Sequence, residues 1–166
     1  MKPRIHALIP CAGNGSRAGG EQPKQYRLLL GKAVVQHALD ALRALGSQLN
    51  SLHVVLAAGD TQFALTQPAA RHAREQVHAV GGATRAGTVR NGLHALLGQP
   101  DTAPDDWVLV HDAARCLVTP AQIAQLIAAC EGDAVGGLLA LPLADTLKRA
   151  AGARVQATVP RDGLWL

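Results

Sequence analysis

The chain has 166 residues, of which 48% are hydrophobic and 17% charged, and its formal net charge is +4. This balance describes one folded domain, residues 1–166, with enough chain to bury a core, and it excludes a disordered or highly charged scaffold. Aromatic residues make up only 2%, too few to stack single-stranded bases, and the scattered cations suit a small anionic substrate rather than a nucleic acid.

In chain order, the apolar run Ile5 to Ile9 predicts a strand ending at Pro10, followed by a glycine-rich loop to Lys24. Tyr26 to Leu30 is a short apolar run closed by Gly31. Val35, Ala38, Leu39, Leu42 and Leu45 recur at helical spacing, with Gly46 as the stop. Leu52 to Ala57 predicts a second main strand. Thr61 to Ala73 predicts a helix interrupted at Pro68, and Gln76 to Val80 a short strand ending at Gly81-Gly82. Thr84 is the expected cap of a helix carrying Ala86, Val89, Leu93, Leu96 and Leu97 on one side. Trp107 to His111 reads as a buried strand with Asp112 at its carboxyl end. Thr119 caps and Pro120 opens a helix with Ile123, Leu126, Ile127 and Cys130 inward. Ala134 to Leu141 predicts a long apolar strand ending at Pro142, and Asp145 to Val159 two short strands around a turn.

Strands alternating with amphipathic helices predict an α/β fold: a three-layer, mostly parallel, Rossmann-like sheet with a protruding β-arm. Ligands collect at the carboxyl ends of strands in such sheets. The loop after Pro10, the Gly81-Gly82 turn and Asp112 are therefore expected on one edge. Gly13, Gly15, Gly19 and Gly20 let backbone N–H groups approach an anion, and Arg17 and Lys24 add full charges. A Walker loop is excluded, because no Lys-Ser/Thr follows its last glycine. The dinucleotide fingerprint fits Gly13, Gly15 and Ala18, but two further glycines and Pro23 interrupt the helix it should open. A flexible loop with two solvated cations is the plainest alternative.

Cys11, Cys116 and Cys130 are odd in number and lack metal-ligand spacing, which predicts a reduced, cytoplasmic protein. No apolar run reaches membrane length, and the first residues lack a signal core, so no membrane partner is expected. The seven histidines fall singly, and most are expected at the surface.

Four segments carry a family resemblance. They are Pro10-Cys-Ala-Gly-Asn-Gly-Ser-Arg17 with Pro23-Lys-Gln-Tyr26, Gly81-Gly-Ala-Thr-Arg-Ala-Gly-Thr-Val89, Val110-His-Asp-Ala-Ala-Arg115, and Asp145-Thr-Leu-Lys-Arg149 with Val159-Pro-Arg-Asp-Gly-Leu-Trp165. Together they resemble the 2-C-methyl-D-erythritol 4-phosphate cytidylyltransferases of the non-mevalonate isoprenoid pathway. The resemblance implies transfer of a cytidylyl group from CTP to the alcohol phosphate, with Mg2+ and release of diphosphate. It implies catalytic roles for Arg17 and Lys24, and nucleotide binding by Pro10, Ala12, Gly13, Gly15, Gly81, Gly82 and Thr88. Substrate binding falls to Asp112, Arg115, Thr146 and Arg161, with Asp112 also a magnesium ligand. Residues 145–159 become a dimerisation arm of a homodimer that completes its partner's site.

Three departures accompany the resemblance. Ala83 stands where the pattern often has an acidic residue, and Cys116 where proline is usual. The family also continues past Gly163-Leu-Trp165 with Thr-Pro-Gln and Thr-Asp-Glu segments and a later lysine, so a chain lacking its C-terminal part is expected. Rival readings are a cytidylyltransferase acting on ribitol phosphate or another sugar phosphate, and, from another class, a NAD-binding oxidoreductase or a nucleotide-binding module without chemistry.

Overall fold

The structure is a computed structural model that describes residues 3–13, 22–66 and 74–166. Its described residues form two compact units, Met1–Ala124 and Gln125–Leu166. The first is built on a parallel sheet of β1 (Ile5–Pro10), β4 (Ser51–Val55), β5 (Glu75–His78) and β6 (Trp107–Val110), in the order β5-β4-β1-β6. Ala7, Leu8 and Ile9 of β1 and Leu52, Val54 and Val55 of β4 are fully buried, as central parallel strands should be. The register sets His6 opposite Ser51 and Ile5 opposite Trp107.

Helix α1 (Val34–Arg43) follows β1, and its expected face is buried: Val35, Ala38, Leu39 and Leu42, continued by Leu45. Between them, β2 (Leu28–Leu29) and β3 (Lys32–Ala33) form a small hairpin. Leu30 and Gly31 turn it with φ of 50° and 79°. Helix α2 (Gln62–Leu65) occupies the start of the expected Thr61–Ala73 helix; residues 67–73 lie outside the described residues.

Helix α3 (Arg85–Leu97) begins with Thr84 as its cap, Oγ1 accepting from Gly87 N at 3.0 Å. Its buried face is Thr88, Gly92 and Leu96, whereas Ala86 and Leu97 are exposed. The rotation from the expected face follows from Gly92, whose Cβ, if present, would stand 2.6 Å from Val55 Cγ2 and 2.7 Å from Leu8 Cδ1. Backbone approaching that closely makes a small residue, not the bulky stripe, the centre of the contact. The crossovers β1–α1–β4 and β5–α3–β6 run opposite ways across the sheet. Right-handed connections then put these helices on opposite faces, giving the layered fold.

Helix α4 (Pro120–Ala129) starts as the sequence predicts. Thr119 Oγ1 accepts from Gln122 N at 3.3 Å while Gln122 Oε1 accepts from Thr119 N at 3.0 Å, a reciprocal cap. Ile123 is buried; Leu126, Ile127 and Cys130 are half-buried.

In the second unit, β7 (Leu147–Ala151) and β8 (Arg154–Val159) form the expected antiparallel hairpin, turned at Gly152 with φ of 59°. It is exposed along nearly its whole length. The expected strand from Ala134 to Leu141 does not form. Asp133 Oδ1 takes the N–H groups of Val135 and Gly136 at 2.7 and 2.9 Å, and Gly136 adopts φ of 101°, so the chain turns where a strand should run. Further on, Leu141 and Leu143 pair their backbones with Leu166 and Leu164. Among the described residues, no helix is long and apolar enough to cross a membrane.

Two histidines depart from the surface placement expected of most. His6 and His53 are each only 1% exposed. They belong to one chain of hydrogen bonds at the amino ends of the strands. Asp106 Oδ2 lies 3.2 Å from His6 Nε2, His6 Nδ1 lies 2.6 Å from Ser51 Oγ, and Ser51 Oγ lies 2.7 Å from His53 Nε2. His53 Nδ1 then lies 2.9 Å from His78 Nε2. An ionised carboxylate only accepts, so His6 Nε2 donates to it, and with one proton on each ring every later bond takes its direction from that end. The chain is satisfied with all three imidazoles neutral.

Candidate active site

Strand β1 lies where the sheet order reverses, between β4 and β6. The crevice beyond the carboxyl ends of β1 and β6 is therefore the switch point at which doubly wound sheets bind ligands. Pro10 ends β1 there, Cys11 N extends the pairing to Val55 O at 2.8 Å, and Ala12 and Gly13 lead into the loop. Gly15 and Arg17 lie outside the described residues.

The Gly81-Gly82 turn abuts this strand end. Gly81 N donates to Leu56 O at 2.8 Å, and a Cβ on Gly81 would stand 2.3 Å from Ala12 Cβ. Only glycine lets the two segments meet. Thr88 is buried beneath the turn, its hydroxyl accepting from Gly82 N at 3.0 Å and lying 3.3 Å from Gly82 O. Its side chain thus holds the turn against α3. Ala83, beside it, is exposed.

Asp112 follows β6 at the same edge. Its Oδ1 accepts from Arg85 Nε at 2.6 Å and its Oδ2 from Arg115 Nε at 3.0 Å. Burial pushes this carboxyl up, but the two guanidiniums outweigh burial and hold it below the usual carboxylate range. Arg85 carries no expected role from the sequence, yet it ties the start of α3 to Asp112. The signal was there: a cation in the first turn opposes the helix dipole and calls for another reason to be present.

Lys24 opens a single 3-10 turn, Lys24–Tyr26, and is exposed while Gln25 and Tyr26 are buried. Two other expected substrate ligands belong to the second unit. Thr146 is exposed just before β7, and the Arg161 guanidinium donates to Ala144 O. A cleft of about 230 Å³ lies at the opposite, amino-end edge of the sheet, lined by His6, Ser51, His53, Arg74, Gln76 and Asp101 among others. It is remote from the crevice, and its buried imidazoles are already hydrogen-bonded to Asp106, Ser51 and His78.

No group of three or more His, Cys, Asp or Glu able to hold a metal occurs among the described residues. Magnesium, however, often takes one or two carboxylates and completes its shell with substrate phosphates and water. Asp112 fits that use, because each oxygen engages one arginine and a carboxylate offers about four lone-pair sites.

Residues 5–166 match the 2-C-methyl-D-erythritol 4-phosphate cytidylyltransferase (IspD) family. The chain belongs to that family. It is 57% identical over 164 residues to the bifunctional IspD/IspF enzyme of Albidiferax ferrireducens, covering 99% of this chain but 38% of that enzyme. To the 2-C-methyl-D-erythritol 4-phosphate cytidylyltransferase of Paraburkholderia phymatum it is 49% identical, covering 99% of this chain and 70% of that one. Among solved structures, a 4-diphosphocytidyl-2C-methyl-D-erythritol synthase matches with a TM-score of 0.85 at 41% identity, covering 99% of this chain and 72% of the other. The Francisella tularensis cytidylyltransferase matches with a TM-score of 0.73 at 28% identity, over 98% and 69%. IspD enzymes transfer the cytidylyl group of CTP to methylerythritol phosphate, and this family membership sets aside the oxidoreductase reading.

Proposed function

We propose that this chain catalyses attack of a 2-C-methyl-D-erythritol 4-phosphate oxygen on the α-phosphorus of CTP, releasing diphosphate and giving 4-diphosphocytidyl-2-C-methyl-D-erythritol. The observation that supports the proposal is the contact of the Gly81-Gly82 turn with Ala12 just past the end of β1, with Asp112 following the neighbouring strand β6 at the same sheet edge. Ala12, Gly13 and Gly15 offer backbone N–H groups to the triphosphate, and Pro10, which has none, contributes to nucleotide binding by ending β1 where the loop begins. Gly81 and Gly82 read the cytosine, with Thr88 fixing the turn. Negative charge grows on the phosphate oxygens as the reaction proceeds, so positioned cations supply most of the catalysis. Arg17 forks across phosphate oxygens and Lys24 is a point charge at the α-phosphate. Asp112 and the triphosphate would hold magnesium, which when bound neutralises phosphate charge as a Lewis acid.

Arg115, Thr146 and Arg161 hold the phosphate of the alcohol; Thr146 lies in the β7–β8 arm, residues 145–159, which leads on to Arg161, and the arm reaches a partner copy in a homodimer. The arm's exposure supports this, because an isolated two-stranded hairpin is marginal in water. The cytoplasm is the expected compartment, supported by three unbridged cysteines. The test is turnover of CTP and methylerythritol phosphate by Arg17→Ala and Lys24→Ala variants. Each is expected to lose about a hundredfold or more in kcat with folding unchanged. Undiminished turnover in either variant removes that residue from the mechanism.

A further inference from the structure

Lys24 is exposed, but the residues that follow it are tied down from two directions. On one side Gln25 Nε2 donates to Gly13 O at 2.7 Å and reaches Cys11 O at 3.4 Å. On the other, the Tyr26 hydroxyl donates to Asp60 Oδ2 at 2.6 Å. Asp60 is itself fixed, because its Oδ1 accepts from Gln62 N and Phe63 N, each at 3.0 Å. The turn between these anchors closes through Tyr26 N on Pro23 O at 3.0 Å and Arg27 N on Lys24 O at 3.2 Å. A strand end, a helix start and the lysine turn are thus joined by buried side chains.

We propose that Tyr26 and Asp60, assisted by Gln25, are positioning residues that set where Lys24 meets the nucleotide phosphate. The proposal rests on the catalytic reading of Lys24. A lysine stem has many rotamers, so the location of its ammonium depends first on how firmly its backbone is held. A misplacement of about 1 Å costs a charged catalytic group about a hundredfold. A hydroxyl–carboxylate bond suits the task, being short, charge-assisted and roughly twice as strong as a neutral one. Burial pushes the Tyr26 phenol up, as do its neighbours Cys11 and Asp60, so it remains a donor throughout the working pH range. A tether that served stability alone would leave the turnover of the folded enzyme untouched.

The test is Tyr26→Phe in the whole enzyme, alone and combined with Lys24→Ala. Alone, it is expected to lower kcat by about tenfold or more, with KM for CTP changing less than about threefold and melting still cooperative. In the Lys24→Ala background it should cost nothing further, because residues acting as a unit are non-additive. Asp60→Asn keeps an oxygen for the two amides and an N–H for the phenol, and should lose several-fold less activity than Asp60→Ala. Should Tyr26→Phe fail to fold, Gln25→Met removes the bond to Gly13 at similar size and carries the same two measurements. Unchanged kcat in a folded variant, or the full loss repeated on top of Lys24→Ala, overturns the positioning role. Full activity of Lys24→Ala overturns the catalytic reading instead, and the tether then has nothing to position.

Discussion

Acidification from about pH 7.5 to about pH 5 should destabilise this protein through His53 more than through any carboxylate. Burial lowers the His53 imidazole from 6.5 to about 4, with His78 and His6 adding to the effect. The unfolded chain therefore binds a proton that the folded chain refuses. The stability held by the neutral ring is complete above about pH 6.5 and is lost progressively down to about pH 4. The whole interval corresponds to about 3 kcal/mol, of which about 2 kcal/mol is gone by about pH 5. That is a large share of the ~5–15 kcal/mol that keeps a domain folded. Burial lowers His78 as well, and so adds in the same direction. Asp106 belongs to a lower window. Burial raises it, but hydrogen bonds from Ala103 N, Arg4 N and His6 outweigh burial, so its contribution fades only below the ordinary carboxylate range. Urea unfolding of the parent and of His53→Gln, followed from about pH 7.5 to about pH 5, checks the prediction. The amide of Gln can still donate to Ser51 but does not titrate. The variant starts less stable, since His78 loses its acceptor, and its pH curve should be flatter by about 2 kcal/mol. Parallel curves would refute the reasoning.

Thr88→Val removes the hydroxyl that holds Gly82, and should raise KM for CTP several-fold more than it lowers kcat, because base contacts form equally in ground and transition states. Gly92→Ala forces a methyl against Val55 and Leu8 and should cost about 1–3 kcal/mol in chemical denaturation. Mixing Arg17→Ala with Arg161→Ala in the whole enzyme should restore activity through hybrid dimers, one of whose two sites carries both arginines. Near-background activity after verified subunit exchange would assign Arg161 to its own chain's site.

Local pattern in the sequence was enough for the alternating strands and helices, the Thr84 and Thr119 caps, the buried face of α1 and the β7–β8 hairpin. These depend on backbone geometry and on spacing within a few residues, which a chain displays openly. It also put the start of the loop after Pro10, the Gly81-Gly82 turn and Asp112 at strand ends, and the parallel order brings those ends to one edge. Tertiary structure decided the rest. Ala134 to Leu141 has the apolar character of a strand, but a strand exists only where another chain segment pairs with it, and Asp133 and Gly136 turn this one away. Gly92, not the bulky residues, centres the buried face of α3, because the sheet comes within a methyl's width of the helix. His6 meets a serine 45 positions away and an aspartate 100 positions away. Tyr26 meets an aspartate 34 positions away. Such partners are set by strand register and crossover order, and no periodicity along the chain records either one.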